Sequence, residues 1–173
     1  VLAFLLFFTQ ARPVSAHPAD VYAHSIYVTF TQDALEIKWE IKPGPMLVSY
    51  LWFEADADKN DAVSEEEVQV WAKSRASKLT AFLNDNTLPL TLDKVDFPST
   101  RDAFQAGSEL ITFYLSAPWP EGLDDAFNIT LRNGLEEQKS LNWYYLASED
   151  GIQFQAPQQK NNNITVEVFP STA

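Results

Sequence analysis

The 173-residue sequence contains no cysteine, two histidines and five glycines. Without cysteine the chain cannot form disulfides, use a thiolate nucleophile, or hold zinc or an iron–sulfur cluster through sulfur. Two histidines leave little for a histidine-rich metal centre, and neither a Gly-x-Ser-x-Gly sequence nor a glycine-rich phosphate-binding loop is present. The sequence therefore predicts a protein that is not an enzyme.

Positive charge is also scarce, with 12 Lys and Arg against 24 Asp and Glu and a net charge of −12. Nucleic-acid phosphates need a basic surface, so the balance argues against DNA or RNA as a partner. It also disfavours docking on anionic lipid. Because 46% of the residues are hydrophobic, the chain can still bury a core. We expect a folded acidic domain whose natural ligands are cations.

No apolar run reaches the about twenty residues that a membrane-spanning helix needs. Residues 1–8 are all apolar, and the small residues Val14 and Ala16 follow at the spacing of a secretory cleavage site. We expect 1–16 to be a signal peptide and 17–173 to be a single extracytoplasmic domain, exported to the periplasm or the cell surface. The alternative is that 1–16 stays attached as a membrane anchor.

The fold class follows from hydrophobic periodicity. Residues 25–42 alternate apolar and polar side chains around a short polar turn, which predicts an antiparallel hairpin with one buried face. Similar short runs occur at Leu88–Leu92, Ile111–Leu115, Phe127–Leu131 and Ile164–Val168. Helical spacing over 46–55 and 64–79 predicts two helices, and 158–163 reads as a polar hairpin loop or the start of a flexible exit. The prediction is a mainly β α+β fold: an antiparallel sandwich-like domain with a helix–loop–helix inserted at about 46–80.

The inserted segment contains an acidic loop at 56–67 whose oxygen-bearing residues have the spacing of an EF-hand. An EF-hand binds calcium through loop positions 1, 3, 5, 7, 9 and 12. Here those positions are Asp56, Asp58, Asn60, the Ala62 carbonyl, Ser64 acting through water, and Glu67 as a bidentate ligand. This number of ligands predicts calcium rather than magnesium. The alternative is an ordinary solvated acidic loop between two helices.

The surroundings of the loop match with one exception. The flanking helices carry apolar residues at the required spacing: Val48, Leu51, Trp52 and Ala55 before the loop, and Val68, Trp71 and Ala72 after it. Ser64 and Glu67 also form the Ser-x-x-Glu capping box of a helix start. Position 6 is normally glycine because the backbone there needs a positive φ, and here it is Asp61. Since Asp tolerates positive φ better than most residues, we expect weaker affinity rather than a lost site.

The mature N-terminus is a second candidate metal site. If cleavage follows Ala16, the α-amine and imidazole of His17 could together chelate Cu²⁺ or Ni²⁺, with His24 as a third nitrogen ligand. The alternatives are that His17 is only the residue after the cleaved bond and that His24 lies on the face of a strand.

Aromatic residues cluster late in the chain, at Trp119, Trp143, Tyr144 and Tyr145. Such side chains could form a platform for sugar rings, but aromatic residues at strand spacing more often fill a core. The sequence favours the core. A secreted adhesion or carbohydrate-binding module with a structural calcium ion remains an alternative function.

The order of these features resembles the extracytoplasmic N-terminal domain that precedes the membrane-spanning part of nickel/cobalt-type transporters and the related HupE/UreJ-type proteins. The matching residues are His17-Pro18, Leu51–Glu67 and Trp71-Ala72, with looser matches at 131–133 and in the aromatic run before Leu146. The resemblance implies a non-enzymatic, calcium-binding soluble module of a longer parent protein, whose partner is the membrane-embedded region. The alternatives are the free secreted module described above and a periplasmic copper- or nickel-binding protein that uses His17.

Overall fold

The computed structural model describes residues 19–123, 125–149 and 151–170. In these ranges ten strands form two sheets, and one continuous hydrophobic core contains side chains from both. The strands are β1 (Tyr22–Phe30), β2 (Ala34–Pro43), β3 (Leu79–Leu83), β4 (Asn86–Leu88), β5 (Thr91–Asp96), β6 (Ile111–Pro118), β7 (Phe127–Asn133), β8 (Ser140–Ser148), β9 (Gln153–Lys160) and β10 (Asn163–Phe169). The helices are α1 (Pro45–Ala55), α2 (Glu65–Ala76) and α3 (Arg101–Ala106), and a 3-10 turn lies at Glu137–Lys139.

The first sheet has the strand order β5-β6-β2-β1-β8, and the second has the order β4-β3-β7-β10-β9. The paired strands run antiparallel except for β1 and β8, which are parallel. The predicted fold class, a mainly β α+β sandwich with an inserted helix–loop–helix, is confirmed. The parallel pair departs from the predicted antiparallel arrangement. It arises because the chain leaves β7 in the second sheet and returns to the first sheet before β8 begins.

The strands β1 and β2 form the predicted hairpin, with alternate side chains buried along both strands. The amide of Thr31 donates to the carbonyl of Ala34 at 3.0 Å and closes the turn. Side chains point to opposite faces of a strand with a period of two, so every second residue of the hairpin enters the core. Phe30, Trp39 and Phe113 of β6 are among the largest fully buried side chains. All three belong to the hydrophobic core, in which the rings of Trp39 and Phe113 lie 5.1 Å apart.

The helices α1 and α2 lie between β2 and β3, so the helix–loop–helix is the connection that takes the chain from the first sheet to the second. Pro45 occupies the first turn of α1, where its missing N–H costs nothing. Ser64 caps α2 through the predicted capping box with Glu67. The helix α2 ends at Ala76 instead of the predicted residue 79, because Leu79 already pairs in β3.

Two local predictions differ from the structure, and one short helix was missed. The run Leu88–Leu92 is not one strand, because the chain passes Pro89 and changes sheet between β4 and β5. The segment 158–163 contains the end of β9, and only 161–162 form the turn before β10. The helix α3 was not predicted, although Thr100 caps it and Gly107 ends it at φ 69°. With six residues, α3 is too short to show a hydrophobic period.

Candidate metal centre

The acidic loop connects α1, which ends at Ala55, to α2, which begins at Glu65. Carboxylate oxygens of Asp56, Asp58 and Glu67 all lie within 4.8 Å of one another. Asp56 is 1% exposed, whereas Asp58 is exposed and Glu67 is partly exposed. The fold therefore brings together the first, third and last positions of the predicted calcium loop.

Hydrogen bonds from the backbone fold the loop around its acidic side chains. Asp56 accepts from the amides of Asn60 at 3.1 Å and Asp61 at 2.9 Å, one on each carboxylate oxygen. Asp58 accepts from the Asn60 amide at 3.1 Å and from its side-chain nitrogen at 2.8 Å. The side-chain oxygen of Asn60 in turn accepts from the Ala62 amide at 2.8 Å. Each amide removes part of the repulsion between neighbouring carboxylates.

Position 6 of the loop has the backbone conformation that the sequence predicted. Asp61 has a φ of 69°, and Lys59 two residues earlier has a φ of 60°. Both values lie in the left-handed region, which costs conformational energy for any residue with a β-carbon, although less for Asn and Asp than for the others. Asp61 therefore has the positive φ that glycine usually supplies at position 6 of a calcium-binding loop.

Glu67 is the most extensively bonded acid in the loop. One carboxylate oxygen accepts from the amides of Ala57 at 2.7 Å and Asp58 at 3.1 Å, and the other accepts from the Ser64 amide and hydroxyl, both at 2.8 Å. The bonds from Ser64, followed by those from Asp58 and Ala57, lower the pKa of Glu67 from 4.5 to about 2. Four donors also occupy the lone pairs of a carboxylate. A bidentate calcium ion would therefore replace some of these hydrogen bonds.

The helices on either side of the loop bury the predicted apolar residues: Val48, Leu51, Trp52, Ala55, Val68, Trp71 and Ala72. The rings of Trp52 and Trp71 both pack against Phe97, at centroid distances of 5.8 and 5.4 Å. The indole N–H of Trp71 donates to Glu54 at 3.2 Å, and Arg75 forms an ion pair with the same carboxylate. These contacts hold the two ends of the loop on one packed unit.

Arg101 of α3 holds the entering helix from the other side. Its guanidinium donates to the Ser49 hydroxyl at 2.8 Å, lies 4.7 Å from the ring centre of Phe53, and is 3.8 Å from the carboxylate of Asp61. The sequence analysis did not identify this residue. Arg101 is 52 positions away from Ser49 in the sequence, so no helix or strand period connects the two residues.

In the structure, His24 is not available as the predicted third nitrogen ligand of a metal at His17. His24 is fully buried, and its Nδ1 accepts from the indole N–H of Trp39 at 3.0 Å. An indole nitrogen is a donor only, so the imidazole proton sits on Nε2, which lies 3.0 Å from the Ser140 hydroxyl. Neither nitrogen has a free lone pair to bind a metal or to deprotonate Ser140. Burial also lowers the pKa of His24 from 6.5 to about 3. The other residue of that prediction, His17, lies outside the described residues, as does 1–16.

The four late aromatic residues divide between core and surface. Tyr144 points inward and donates its hydroxyl to the Asn162 carbonyl at 2.6 Å, and Trp119 is partly buried with its indole N–H bonded to Thr31. Trp143 and Tyr145 are 47% and 48% exposed. The prediction that these residues fill the core is therefore wrong for Trp143 and Tyr145.

Comparison with known proteins adds no family. No family model, curated protein or solved structure matches this chain. In the part of the chain that the structure describes, no helix has the length and apolar character to cross a bilayer. The acidic loop is thus the feature of the described chain with the most specific chemistry.

Proposed function

We propose that the chain is a non-enzymatic, extracytoplasmic calcium-binding module, with the ion held at 56–67. The observation that supports this most strongly is the convergence of Asp56, Asp58 and Glu67 oxygens within 4.8 Å. The loop and Glu54 together carry seven acidic residues and one lysine, a local charge of −6. Like charges this close repel one another, and a divalent cation removes that repulsion.

The donor set favours calcium over magnesium and over transition metals. Asp56, Asp58, Asn60, the Ala62 carbonyl, Ser64 and Glu67 offer oxygen only, and calcium takes six to eight oxygens in a flexible geometry. Magnesium demands near-ideal octahedral geometry and keeps several waters. Nitrogen and sulfur ligands, which copper, nickel and zinc prefer, are missing from this set.

A bound ion would join α1 to α2, because Asp56 follows the last turn of α1 and Glu67 lies in the first turn of α2. The two helices connect the two sheets, so the ion would stabilise the crossover of the sandwich. We further propose that this module is the soluble N-terminal part of a longer membrane protein. The order of sequence features and the signal-like residues 1–16 support that proposal, and several apolar segments of about 20 residues encoded downstream would test it.

A second candidate is a secreted adhesion or carbohydrate-binding module in which the calcium ion is structural. The exposed rings of Trp143 and Tyr145 favour it, since flat aromatic surfaces contact sugar rings. A copper- or nickel-binding protein that uses His17 is a third candidate. Without His24 as a ligand, the α-amine and imidazole of His17 would be its only two nitrogen donors.

Thermal unfolding with and without calcium tests the leading proposal. With a Kd near 10⁻⁴ M, 1–2 mM Ca²⁺ should stabilise the domain by roughly 1.5 kcal/mol, which is a rise in Tm of roughly 3–6 °C. Magnesium should stabilise it less. Glu67→Gln should abolish the calcium effect, because it removes both a charge and the bidentate ligand.

The matched control is Glu65→Gln, which removes the same charge from the same turn of α2 at an exposed residue outside the three-carboxylate cluster. This variant should retain nearly all of the calcium-dependent rise. A Tm that calcium leaves unchanged in the native protein would show that the loop is a solvated acidic turn.

A further inference from the structure

Within the described ranges the two sheets have four edge strands, and three of the four are protected against pairing with another chain. The strand β4 has three residues. The strand β5 carries Asp93, Lys94 and Asp96 and has a register shift against β6. The strand β9 contains Pro157 and has a register shift against β10. Short length, charge, proline and irregular register are the features by which edge strands avoid intermolecular pairing.

The fourth edge strand, β8, has none of these features. It is nine residues long, contains neither charge nor proline, and keeps an uninterrupted register with β1. Its outward side chains include Leu141, Trp143 and Tyr145, which are all exposed large hydrophobic residues. Tyr27 of β1 extends this surface by stacking on Tyr145 at 4.8 Å. A long, regular, apolar edge is the type of strand that accepts another strand.

The backbone of β8 presents its even-numbered residues to this edge. The Glu149 amide donates to the Phe30 carbonyl in β1, so the odd-numbered amides of β8 face β1 and the even-numbered ones face away. The Asn142 carbonyl accepts from the side chain of Gln159 at 3.0 Å, which covers one end of the edge. Among the described residues, no strand pairs with the peptide groups of Tyr144 and Leu146 on this edge.

We propose that β8 pairs antiparallel with β8 of a second copy, about a two-fold axis at Tyr144, and joins the two first sheets into one ten-stranded sheet. This register places Tyr144 opposite itself in a hydrogen-bonded pair. Trp143 of one copy then faces Tyr145 of the other, and Leu141 faces Ala147. These outward residues occupy non-hydrogen-bonded pairs, where side chains approach most closely.

Charge selects a second copy in this orientation. Lys139 directly precedes β8 and Glu149 directly follows it. In the antiparallel register, Lys139 of each copy faces Glu149 of the other, whereas a parallel arrangement would place like charges together. Two chains that each carry a net charge of −12 repel one another over most of their surfaces. The strand β8 has no acidic residue along its nine positions, so two copies can approach there without bringing carboxylates together.

The dimer should be weak and concentration-dependent. One strand pair with its flanking aromatic residues is smaller than the roughly 1,200–2,000 Å² of a stable interface. Gln159 must also release the Asn142 carbonyl. The pairing uses none of the residues of the acidic loop, so it should form with or without calcium.

Sedimentation equilibrium of the exported protein, from about 10 μM to about 1 mM, tests the proposal. The apparent mass should rise from that of the monomer toward twice that value. Trp143→Lys should keep the protein monomeric, because it places a charge at the centre of the interface. Tyr50→Lys is the matched control: it changes an aromatic residue that is 55% exposed on α1 in the same way and should leave the dimer intact. A monomer at every concentration, or a dimer that Trp143→Lys does not weaken, would overturn the proposal.

Charge reversal tests the orientation independently of the aromatic residues. Lys139→Glu alone and Glu149→Lys alone should each raise the dimer dissociation constant about five-fold, because each places two like-charged pairs in the interface. The double variant should restore the native value. A double variant as weak as the two single variants would rule out antiparallel β8 pairing.

Discussion

Asp61 is the residue at which the loop departs from the usual calcium-binding sequence, and its φ of 69° makes the consequence measurable. Asp61→Gly should stabilise the domain by about 0.5–1 kcal/mol and tighten calcium binding about two- to five-fold, because glycine adopts this conformation without strain. The side chain is 73% exposed and its ion pair with Arg101 is 3.8 Å long, so losing that pair costs little. Isothermal titration with calcium measures the change.

Asp61→Asn separates strain from charge. Asparagine removes the carboxylate and the ion pair but keeps a side chain that tolerates positive φ. It should therefore bind calcium about as the native protein does. Equal weakening in the glycine and asparagine variants would mean that the negative charge of Asp61, and not its backbone strain, controls affinity.

His24 makes stability depend on pH. The unfolded chain protonates this residue near pH 6.5, whereas the folded protein keeps it neutral until about pH 3. The unfolded state thus binds an extra proton as the pH falls through this window, and stability declines with it. His24 should account for a loss of about 2.5 kcal/mol between pH 7 and pH 4.5. Urea unfolding at the two pH values measures this change. The free energy of unfolding should fall by about 2.5 kcal/mol less in His24→Gln than in the native protein.

The control for this experiment is Ser140→Ala, which removes the hydroxyl beside Nε2 and leaves the buried imidazole in place. Its pH dependence should resemble that of the native protein, even if its overall stability is lower. Identical pH dependence in the native protein and His24→Gln would contradict the assignment of the effect to His24.

The sequence predicted the role of a residue where the residues that it contacts are close to it in the sequence. Asp56, Asp58 and Glu67 lie within one loop, so their spacing carried the information. His24 and Ser140 are 116 positions apart, and only the parallel pairing of β1 with β8 brings them together. No local pattern encodes that contact, which is why His24 remained a candidate metal ligand in the sequence analysis.

At the scale of elements, α3 supports α1 and the acidic loop through Arg101. Arg101→Leu should destabilise the domain by about 1–2 kcal/mol, since it loses the hydrogen bond to Ser49 and the contact with the Phe53 ring. Arg101→Lys should recover less than half, because an ammonium group cannot make the same planar contacts. Thermal unfolding measures both changes.

Arg132→Leu provides the comparison for Arg101. Arg132 is also a surface arginine, and its ion pair with Glu137 is 2.7 Å long and exposed. Loss of an exposed pair should change stability by no more than about 0.5 kcal/mol. If the Arg101 and Arg132 variants lose equal stability, then α3 does not brace α1.

The elements that sequence predicted correctly have strong local signals, such as the capping box of α2 and the alternation in the β1–β2 hairpin. The run from Leu88 to Leu92 shows why alternation was insufficient elsewhere. Both sheets face the same core, so the period of two continues while the chain changes sheet at Pro89. The edge strand β9 is mostly exposed and has no apolar period to detect.

At the scale of the whole molecule, sequence predicted the class of the fold but not its strand order. Hydrophobic periodicity reports which face of a strand is buried, and it does not report which strand lies beside it. The position of β8 next to β1 in the first sheet, rather than next to β7 in the second, is set by the tertiary packing. That position also creates the edge that we propose as a dimer interface.

The pairing of β1 with β8 has a consequence for when the protein can fold. A strand near the start of the described chain acquires its second neighbour only after residues 140–148 are available. Contacts between such distant segments close large loops and slow the folding of β-proteins to milliseconds or seconds. The first sheet therefore cannot be completed while most of the chain is still being synthesised. A chain that crosses a membrane before folding would benefit from this delay, because its N-terminal hairpin cannot acquire that neighbour early.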